Sequence, residues 1–172
     1  GIGDDARVLA VRQRRGKEEA GNPGKGPNLF WLGGFKSDMR GTKAEALDAW
    51  GAAHHRAVTR FDYSGHGESG GSFLDGSIGR WLEESLAVYR QFCRGPQVVI
   101  GSSMGGWLAL LLAQALREQG NGAASNPHGE EPRSGVPNHE VPSAAIAGMV
   151  LIAPAVDFTG VLMWEKFDAE VK

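Results

Sequence analysis

The stretch VVIGSSMGGWLALLLA, Val98 to Ala113, changes from an apolar β-branched run into an apolar helical run through a group of small residues. The β-branched run favours a buried strand, and the run after it favours a helix that is apolar on nearly every side. At the junction, Gly101, Ser103 and Gly105 fit the pattern G-x-S-x-G in the strand-to-helix context that this pattern requires. Since small residues let a strand and a helix approach closely, the stretch predicts a tight turn that projects Ser103 at the carboxyl edge of a sheet.

Three helices are predicted from apolar spacing. The helix after Ser103 should run from Met104 to about Arg117. Thr42 followed by Glu45 has the form of a capping box and predicts a helix start. The apolar face of that helix is expected on Leu47, Trp50 and Ala53. The third helix is predicted from apolar residues that recur every three or four positions, namely Ile78, Trp81, Leu82, Leu86, Tyr89 and Phe92.

Strand patterns alternate with these helices. Besides the strand before Ser103, they are ARVLAVRQR (6–14), NLFWLGG (28–34), AVTRFDY (57–63) and IAGMVLIAPAVDF (146–158), the last expected to be a buried strand ending at Pro154. The polar segment 119–142 has no apolar period and reads as an exposed, mobile insertion. Strands that alternate with helices predict one α/β domain over residues 1–172, with a mostly parallel sheet and helices on both faces.

Composition limits the classes of function. The chain has 172 residues, 41% of them hydrophobic and 22% charged, which is typical of one soluble globular domain. A formal net charge of -2 gives no electrostatic reason to expect nucleic acid or an anionic membrane as partner. The single cysteine, Cys93, excludes an internal disulfide and is expected to be a small core residue. No apolar run approaches the roughly 20 residues that span a bilayer, so a cytoplasmic location is predicted, with a removed organellar targeting sequence left open.

A second small-residue turn complements the one at Ser103. A nucleophilic serine needs N–H donors for the negative charge that develops on the substrate oxygen. The Met104 N–H, at the start of a helix, is the natural first donor. The segment FWLGGFKSD (30–38) offers Gly33 and Gly34 to bring the backbone close, with the Phe35 N–H as second donor. The two turns are therefore predicted to converge on one site.

Several longer motifs accompany these turns. RFDYSGHGESGGSF (60–73) contains D-x-x-G-x-G-x-S, and it occurs with FWLGGFKSDMRGTKA (30–44), DGSIGRW (75–81) and GSSMGGWLALLLA (101–113). Together they resemble the α/β-hydrolases, in particular the subgroup that includes the mitochondrial palmitoyl-protein thioesterase and acyl-glucuronide esterase with related bacterial hydrolases. The resemblance implies hydrolysis of esters or thioesters by Ser103, with Phe35 and Met104 as oxyanion donors and a small-molecule substrate. No cofactor is expected, because an activated serine and water suffice for this reaction, and no metal site is predicted.

A serine nucleophile also needs a base and an orienting acid, which follow the serine along the chain in this fold. His54, His55 and His66 precede Ser103 and are expected to be surface or loop residues. The only histidines after Ser103 are His128 and His139, both in the polar segment. Asp157 follows the last strand pattern, where some members of the fold carry their acid, but it is left out of the predicted site. The acid and base are therefore expected beyond Lys172, in a longer protein of which this chain is the first part.

An incomplete domain would leave the GMVLIAP strand (148–154) as an apolar sheet edge, which favours pairing with a second copy. A non-enzymatic alternative also stays open, in which a degenerate hydrolase fold serves as a binding or scaffold module through that edge or the segment 119–142. Phosphate binding at the turn is disfavoured, because no G-x-x-x-x-G-K-[ST] motif occurs. Peptide cleavage on the same fold stays open as well.

Overall fold

The computed structural model describes residues 7–16, 26–123 and 144–156. The strands are β1 (Val11–Arg14), β2 (Asn28–Leu32), β3 (Val58–Phe61), β4 (Pro96–Ser102) and β5 (Ala145–Ile152), and the helices are α1 (Thr42–Ala53), α2 (Ile78–Phe92) and α3 (Met104–Ala123). A short 3-10 helix, Phe73–Asp75, precedes α2. The predicted alternation of strands and helices is confirmed within the described residues.

The strands of the described residues form one sheet in the order β1-β3-β2-β4-β5. β1 is antiparallel to β3, and the other neighbours are parallel, as expected for βαβ units. In β2, Leu32 lies in register with Gly101 of β4. Ser102, the last residue of β4, lies in register with Ile152 of β5. The carboxyl ends of the three strands therefore meet at one edge of the sheet.

Helices cover both faces of the sheet, as predicted. Phe30 and Leu32 point to the face covered by α2 and α3, where the larger core cluster lies. Leu29 and Trp31 alternate with them and point to the smaller cluster under α1. Because successive side chains of a strand point to opposite faces, the apolar run of β2 requires both layers. The fold is the predicted α/β architecture with a mostly parallel sheet.

The first helix departs from its prediction in two details. Its N-cap is Gly41, without a side-chain cap. The Glu45 carboxylate instead accepts a hydrogen bond of 2.7 Å from the buried Arg60, so it does not complete the predicted capping box. Ala44 and Gly51 are the buried residues of α1. Trp50, predicted on the apolar face, is 46% exposed and stacks on His54.

The second helix follows its prediction closely. Ser77 caps it by accepting from the Arg80 N–H at 3.2 Å. Trp81 and Tyr89 are buried in the core, and the other four predicted apolar residues pack against it. Cys93, just after the helix, is a buried core residue as predicted.

The last described helix and strand differ from their predictions. α3 continues to Ala123, so the first residues of the predicted insertion belong to this helix. Residues 124–142, the rest of that segment, lie outside the described residues. β5 forms where predicted, but Met149 and Val150 are 41% and 48% exposed. The expectation of a buried strand was wrong because β5 is the edge of the described sheet.

Candidate active site

Ser103 occupies the turn between β4 and α3, and its backbone is strained. Its φ is 54°, in the left-handed region that non-glycine residues rarely adopt. Such a conformation costs about 1–3 kcal/mol and persists only where surrounding structure holds it in place. The Ser103 side chain is partly exposed, whereas Met104 after it is fully buried. The turn therefore presents the hydroxyl while anchoring the start of the helix.

Two glycines make this turn sterically feasible. A Cβ added to Gly101 would lie 2.3 Å from the carbonyl oxygen of Gly105. A Cβ added to Gly105 would lie 2.1 Å from the carbonyl oxygen of Leu32. Both distances are far below van der Waals contact and both involve backbone, which cannot rotate away. The close approach of α3 to β4 and β2 therefore requires glycine at both positions.

Backbone hydrogen bonds fix Ser103 from both sides. The Ser103 N–H donates to the carbonyl oxygen of Ile152 at 2.9 Å. The Ser103 carbonyl oxygen accepts from the N–H groups of Ala155 at 3.1 Å and Gly106 at 2.9 Å. The end of β5 and the first turn of α3 thus hold the strained residue together.

The turn after β2 lies directly against Ser103. A Cβ added to Gly34 would lie 3.4 Å from the Ser103 Cβ and 3.3 Å from the Ser102 carbonyl oxygen. The turn is closed by a hydrogen bond of 3.1 Å from the Ser37 N–H to the Gly34 carbonyl oxygen. Lys36, in its third position, has φ 57°. Hence the turn after the neighbouring strand contains a second left-handed residue.

The structure brings the three predicted site residues to this edge of the sheet. Phe35 lies within the turn after β2, and Met104 is the first residue of α3. The Phe35 ring packs against Phe73 at a centroid distance of 5.0 Å and against Trp81 at 6.2 Å. The first N–H groups of a helix lack intrahelical acceptors, and α3 begins at Met104. The backbones of Phe35 and Met104 therefore lie at the same sheet edge as Ser103.

The buried carboxylate of Asp62 holds the glycine-rich loop 64–72 beside this site. Asp62 accepts hydrogen bonds from the Met39 N–H at 2.6 Å and the Glu68 N–H at 2.8 Å. Burial raises the pKa of Asp62, although these two bonds oppose the rise. A Cβ on Gly67 would lie 2.1 Å from the carboxylate, which explains the glycine there. Asp62 therefore has a structural role that the sequence analysis did not assign, although the spacing D-x-x-G-x-G-x-S carries its signal.

His54 and His66 have hydrogen-bond partners other than Ser103. His54 ends α1, where its Nδ1 lies 2.8 Å from the Trp50 carbonyl oxygen. His55 follows it in a left-handed conformation. His66 lies in its loop as predicted, but it is buried rather than at the surface. In residues 7–16, 26–123 and 144–156, no histidine hydrogen-bonds to the Ser103 hydroxyl.

The other residues considered as base or acid, His128, His139 and Asp157, lie outside the described residues. Cys93 offers no competing nucleophile, because burial raises the pKa of its thiol to about 12. Across the part of the chain that the structure describes, no cluster of three or more His, Cys, Asp or Glu residues has the arrangement of a metal site. Nor does any described helix combine the length and apolarity needed to cross a membrane.

With this geometry established, comparison with known proteins defines the class. The model of the alpha/beta hydrolase family matches residues 29–170. The chain therefore belongs to the alpha/beta hydrolase family, as its motifs predicted.

Individual relatives agree with this class. The mitochondrial palmitoyl-protein thioesterase ABHD10 of Rattus norvegicus is 40% identical over 56% of this chain and 32% of its own length. The crystal structure of a putative hydrolase from Agrobacterium vitis is 41% identical with a TM-score of 0.76, and the match covers 99% of this chain and 56% of that one. The alpha/beta hydrolase domain-containing protein 10 from mouse is 34% identical with a TM-score of 0.59, covering 67% and 43%. The matched part thus spans about a third of the curated relative and about half of the two solved chains.

Proposed function

We propose that this chain carries the nucleophile and oxyanion hole of a serine hydrolase that cleaves carboxylic esters or thioesters. The observation that carries the proposal is the left-handed Ser103, with φ 54°, on a strand-to-helix turn against which the Gly34 turn packs. This is the geometry that an exposed nucleophile at a sheet edge requires. The thioesterase name of the curated relatives supports the thioester part of the substrate class.

The proposed reaction has two steps. The Ser103 oxygen attacks the acyl carbon while its proton passes to a base, and the carbonyl oxygen becomes an oxyanion held by the Phe35 and Met104 N–H groups. Collapse breaks the bond to the alcohol or thiol, which leaves with that proton, and the acyl group stays on Ser103. Water then adds to the acyl-enzyme and releases the acid. This chemistry requires no cofactor.

The triad acid and base are proposed to lie beyond Lys172. Two observations support this placement: His54 and His66 bond to groups other than Ser103, and the alignments leave a large part of each relative unmatched. His128, His139 and Asp157 are the alternatives within the chain.

The relatives' mitochondrial name favours an organellar location over the predicted cytoplasm.

A fluorophosphonate probe followed by intact mass tests the proposal. The probe reacts with activated serines, so we expect one adduct on the protein extended through its open reading frame beyond Lys172. Ser103→Ala should abolish the adduct, while Ser102→Ala, at the adjacent serine, should keep it. Labelling that survives Ser103→Ala would refute the assignment of the nucleophile. An adduct on the 172-residue chain alone would move the base to His128 or His139.

A non-enzymatic binding or scaffold module is the second candidate function. It is favoured by the exposed Met149 and Val150 on the edge strand β5, since an uncovered apolar edge pairs readily with another chain. In that case the probe leaves the extended protein unlabelled. Sedimentation of the 172-residue chain should then show a dimer that a charge at the edge, as in Val150→Lys, converts to monomer.

A further inference from the structure

His66 lies beneath the turn that follows β2, locked among aromatic rings. The side chain is 4% exposed. Its ring lies 5.1 Å from Phe73 and 5.1 Å from Trp81, in edge-to-face geometry with both. The Phe35 ring packs on the same Phe73 at 5.0 Å. One aromatic cluster therefore holds both the imidazole and the residue assigned as oxyanion donor.

The two ring nitrogens of His66 have different partners. Nδ1 lies 3.2 Å from the Ser64 carbonyl oxygen, and Nε2 lies 3.3 Å from the Lys36 backbone nitrogen. A carbonyl oxygen only accepts and a backbone N–H only donates. Both contacts are satisfied together only by a neutral imidazole that carries its proton on Nδ1. Nε2 is then the acceptor for Lys36.

The Lys36 N–H is the group that decides the form of this turn. This N–H belongs to the peptide between the second and third residues of the turn 34–37. The orientation of that peptide distinguishes a type II turn, in which the third residue is left-handed, from a type I turn, in which it is not. Glycine is favoured at the third position, but Lys36 stands there with φ 57°. An acceptor aimed at its N–H stabilises the orientation that lysine by itself disfavours.

The glycine-rich loop itself is held by other groups. The Asp62 carboxylate accepts from the Glu68 N–H, and the Ser69 hydroxyl donates to the Asp62 carbonyl oxygen at 2.6 Å. The Gly65 N–H donates to Gly70 at 2.9 Å. None of these bonds uses Nε2 of His66, which is directed out of the loop toward the turn after β2.

We propose that His66 is a positioning residue for the oxyanion hole: its neutral imidazole holds the Phe35–Lys36 peptide, while the Ser37 N–H holds the Gly34–Phe35 peptide through the Gly34 carbonyl oxygen. The two bonds together keep Phe35, and with it the Phe35 N–H, in place for the carbonyl oxygen on Ser103. This inference rests on the proposed serine hydrolase function. His66 touches neither substrate nor Ser103, and it acts only through the turn. Histidine suits the place because one ring joins two backbone groups of opposite polarity.

The tautomer is tested without reference to catalysis. A long-range proton–nitrogen NMR spectrum of the extended protein, labelled with nitrogen-15 histidine, should show His66 at pH 7 as a neutral ring with its proton on Nδ1. A proton on Nε2, or on both nitrogens, would overturn the inference whatever the protein hydrolyses.

Two variants test the effect on the reaction, with p-nitrophenyl acetate as substrate. His66→Phe keeps a flat ring in the aromatic cluster but loses the acceptor, and it should lower kcat about 10- to 100-fold, part of the loss seen when a donor is removed. KM should stay within about twofold, because the donors act mainly on the transition state. His66→Gln places an amide oxygen near Nε2 and should recover most of kcat.

Each failure has its own signature. A folded His66→Phe variant with wild-type kcat, or an equal loss of kcat in both variants, overturns the positioning role while the serine hydrolase proposal stands. If the wild-type protein neither hydrolyses the ester nor reacts with the fluorophosphonate, the serine hydrolase proposal and the positioning role of His66 are both overturned, because no oxyanion then forms at this site. Circular dichroism of each variant establishes that it is folded.

Discussion

The turns after β2 and β4 lie side by side, and each holds a non-glycine residue in a left-handed conformation, but by different interactions. Each follows a parallel strand at the same sheet edge, and each places a non-glycine residue in the left-handed region, Lys36 with φ 57° and Ser103 with φ 54°. Ser103 is fixed by three backbone hydrogen bonds and by flanking glycines that fit only one packing. Lys36 is held by the turn hydrogen bond and by side chains: His66 accepts from its N–H, and the Phe73 ring lies 5.4 Å from its Nζ.

The difference separates two kinds of strained site. Where neighbouring backbone surrounds a residue, the strain is supported by the whole fold and relaxes only if the fold is lost. Where a side chain supplies the support, a single substitution releases it. Mutation of the Ser103 turn should therefore change mainly the stability of the protein, and mutation of the turn after β2 mainly its proposed activity.

The largest expected effect is at Gly105, the glycine two residues after Ser103. Gly105→Ala would place a Cβ 2.1 Å from the Leu32 carbonyl oxygen and force α3 away from β2. We expect the free energy of unfolding to fall by about 3 kcal/mol, measured by urea titration. Gly79→Ala in α2 is the matched control, because no atom lies within 4 Å of its added Cβ; it should raise stability by about 0.5 kcal/mol. Equal changes in the free energy of unfolding for Gly105→Ala and Gly79→Ala would contradict a steric conflict between a Cβ at residue 105 and the Leu32 carbonyl oxygen.

A smaller effect is expected where the two turns touch. Gly34→Ala would place a Cβ 3.3 Å from the Ser102 carbonyl oxygen, a distance that a shift of tenths of an ångström relieves. Stability should change by less than about 1 kcal/mol. The rate of fluorophosphonate labelling should fall about tenfold, because small misplacements of catalytic groups cost rate steeply. Gly33→Ala, whose nearest neighbour would be the Trp31 indole nitrogen at 3.7 Å, should label at nearly the wild-type rate.

The smallest expected effect is the difference in backbone strain between Ser103 and Lys36. Ser103→Gly should be more stable to urea than Ser103→Ala by about 1 kcal/mol, because only the alanine retains a Cβ in the left-handed region. The difference in stability between Lys36→Gly and Lys36→Ala should be smaller. The turn after β2 is held partly by the His66 side chain, which is able to move and let the backbone of residue 36 relax. A larger difference at Lys36 than at Ser103 would reverse the proposed contrast.

Local sequence determined much of this fold and part of its candidate site. The Ser103 turn, α2 and the strand positions were predicted because each depends on neighbours a few residues away. The contact of His66 with Lys36 joins residues 30 positions apart, and no local pattern signals it. The capping box failed for a similar reason: Glu45 bonds to Arg60, which the tertiary fold brings to it. The exposure of β5 likewise depends on strand order rather than on its own apolar residues.

The strand order also carries a consequence for how the molecule is made. β2 is central, β3 joins one side of it, β4 joins the other, and β5 joins β4. From β2 onward, each newly synthesised strand meets an edge that already exists, and no strand has to insert between two that have paired. The ribosome delivers the chain from its N-terminal end, so this strand order is compatible with pairing of each strand as it emerges. The ribosome then delivers α3 while the edge of β4 is still open to receive β5.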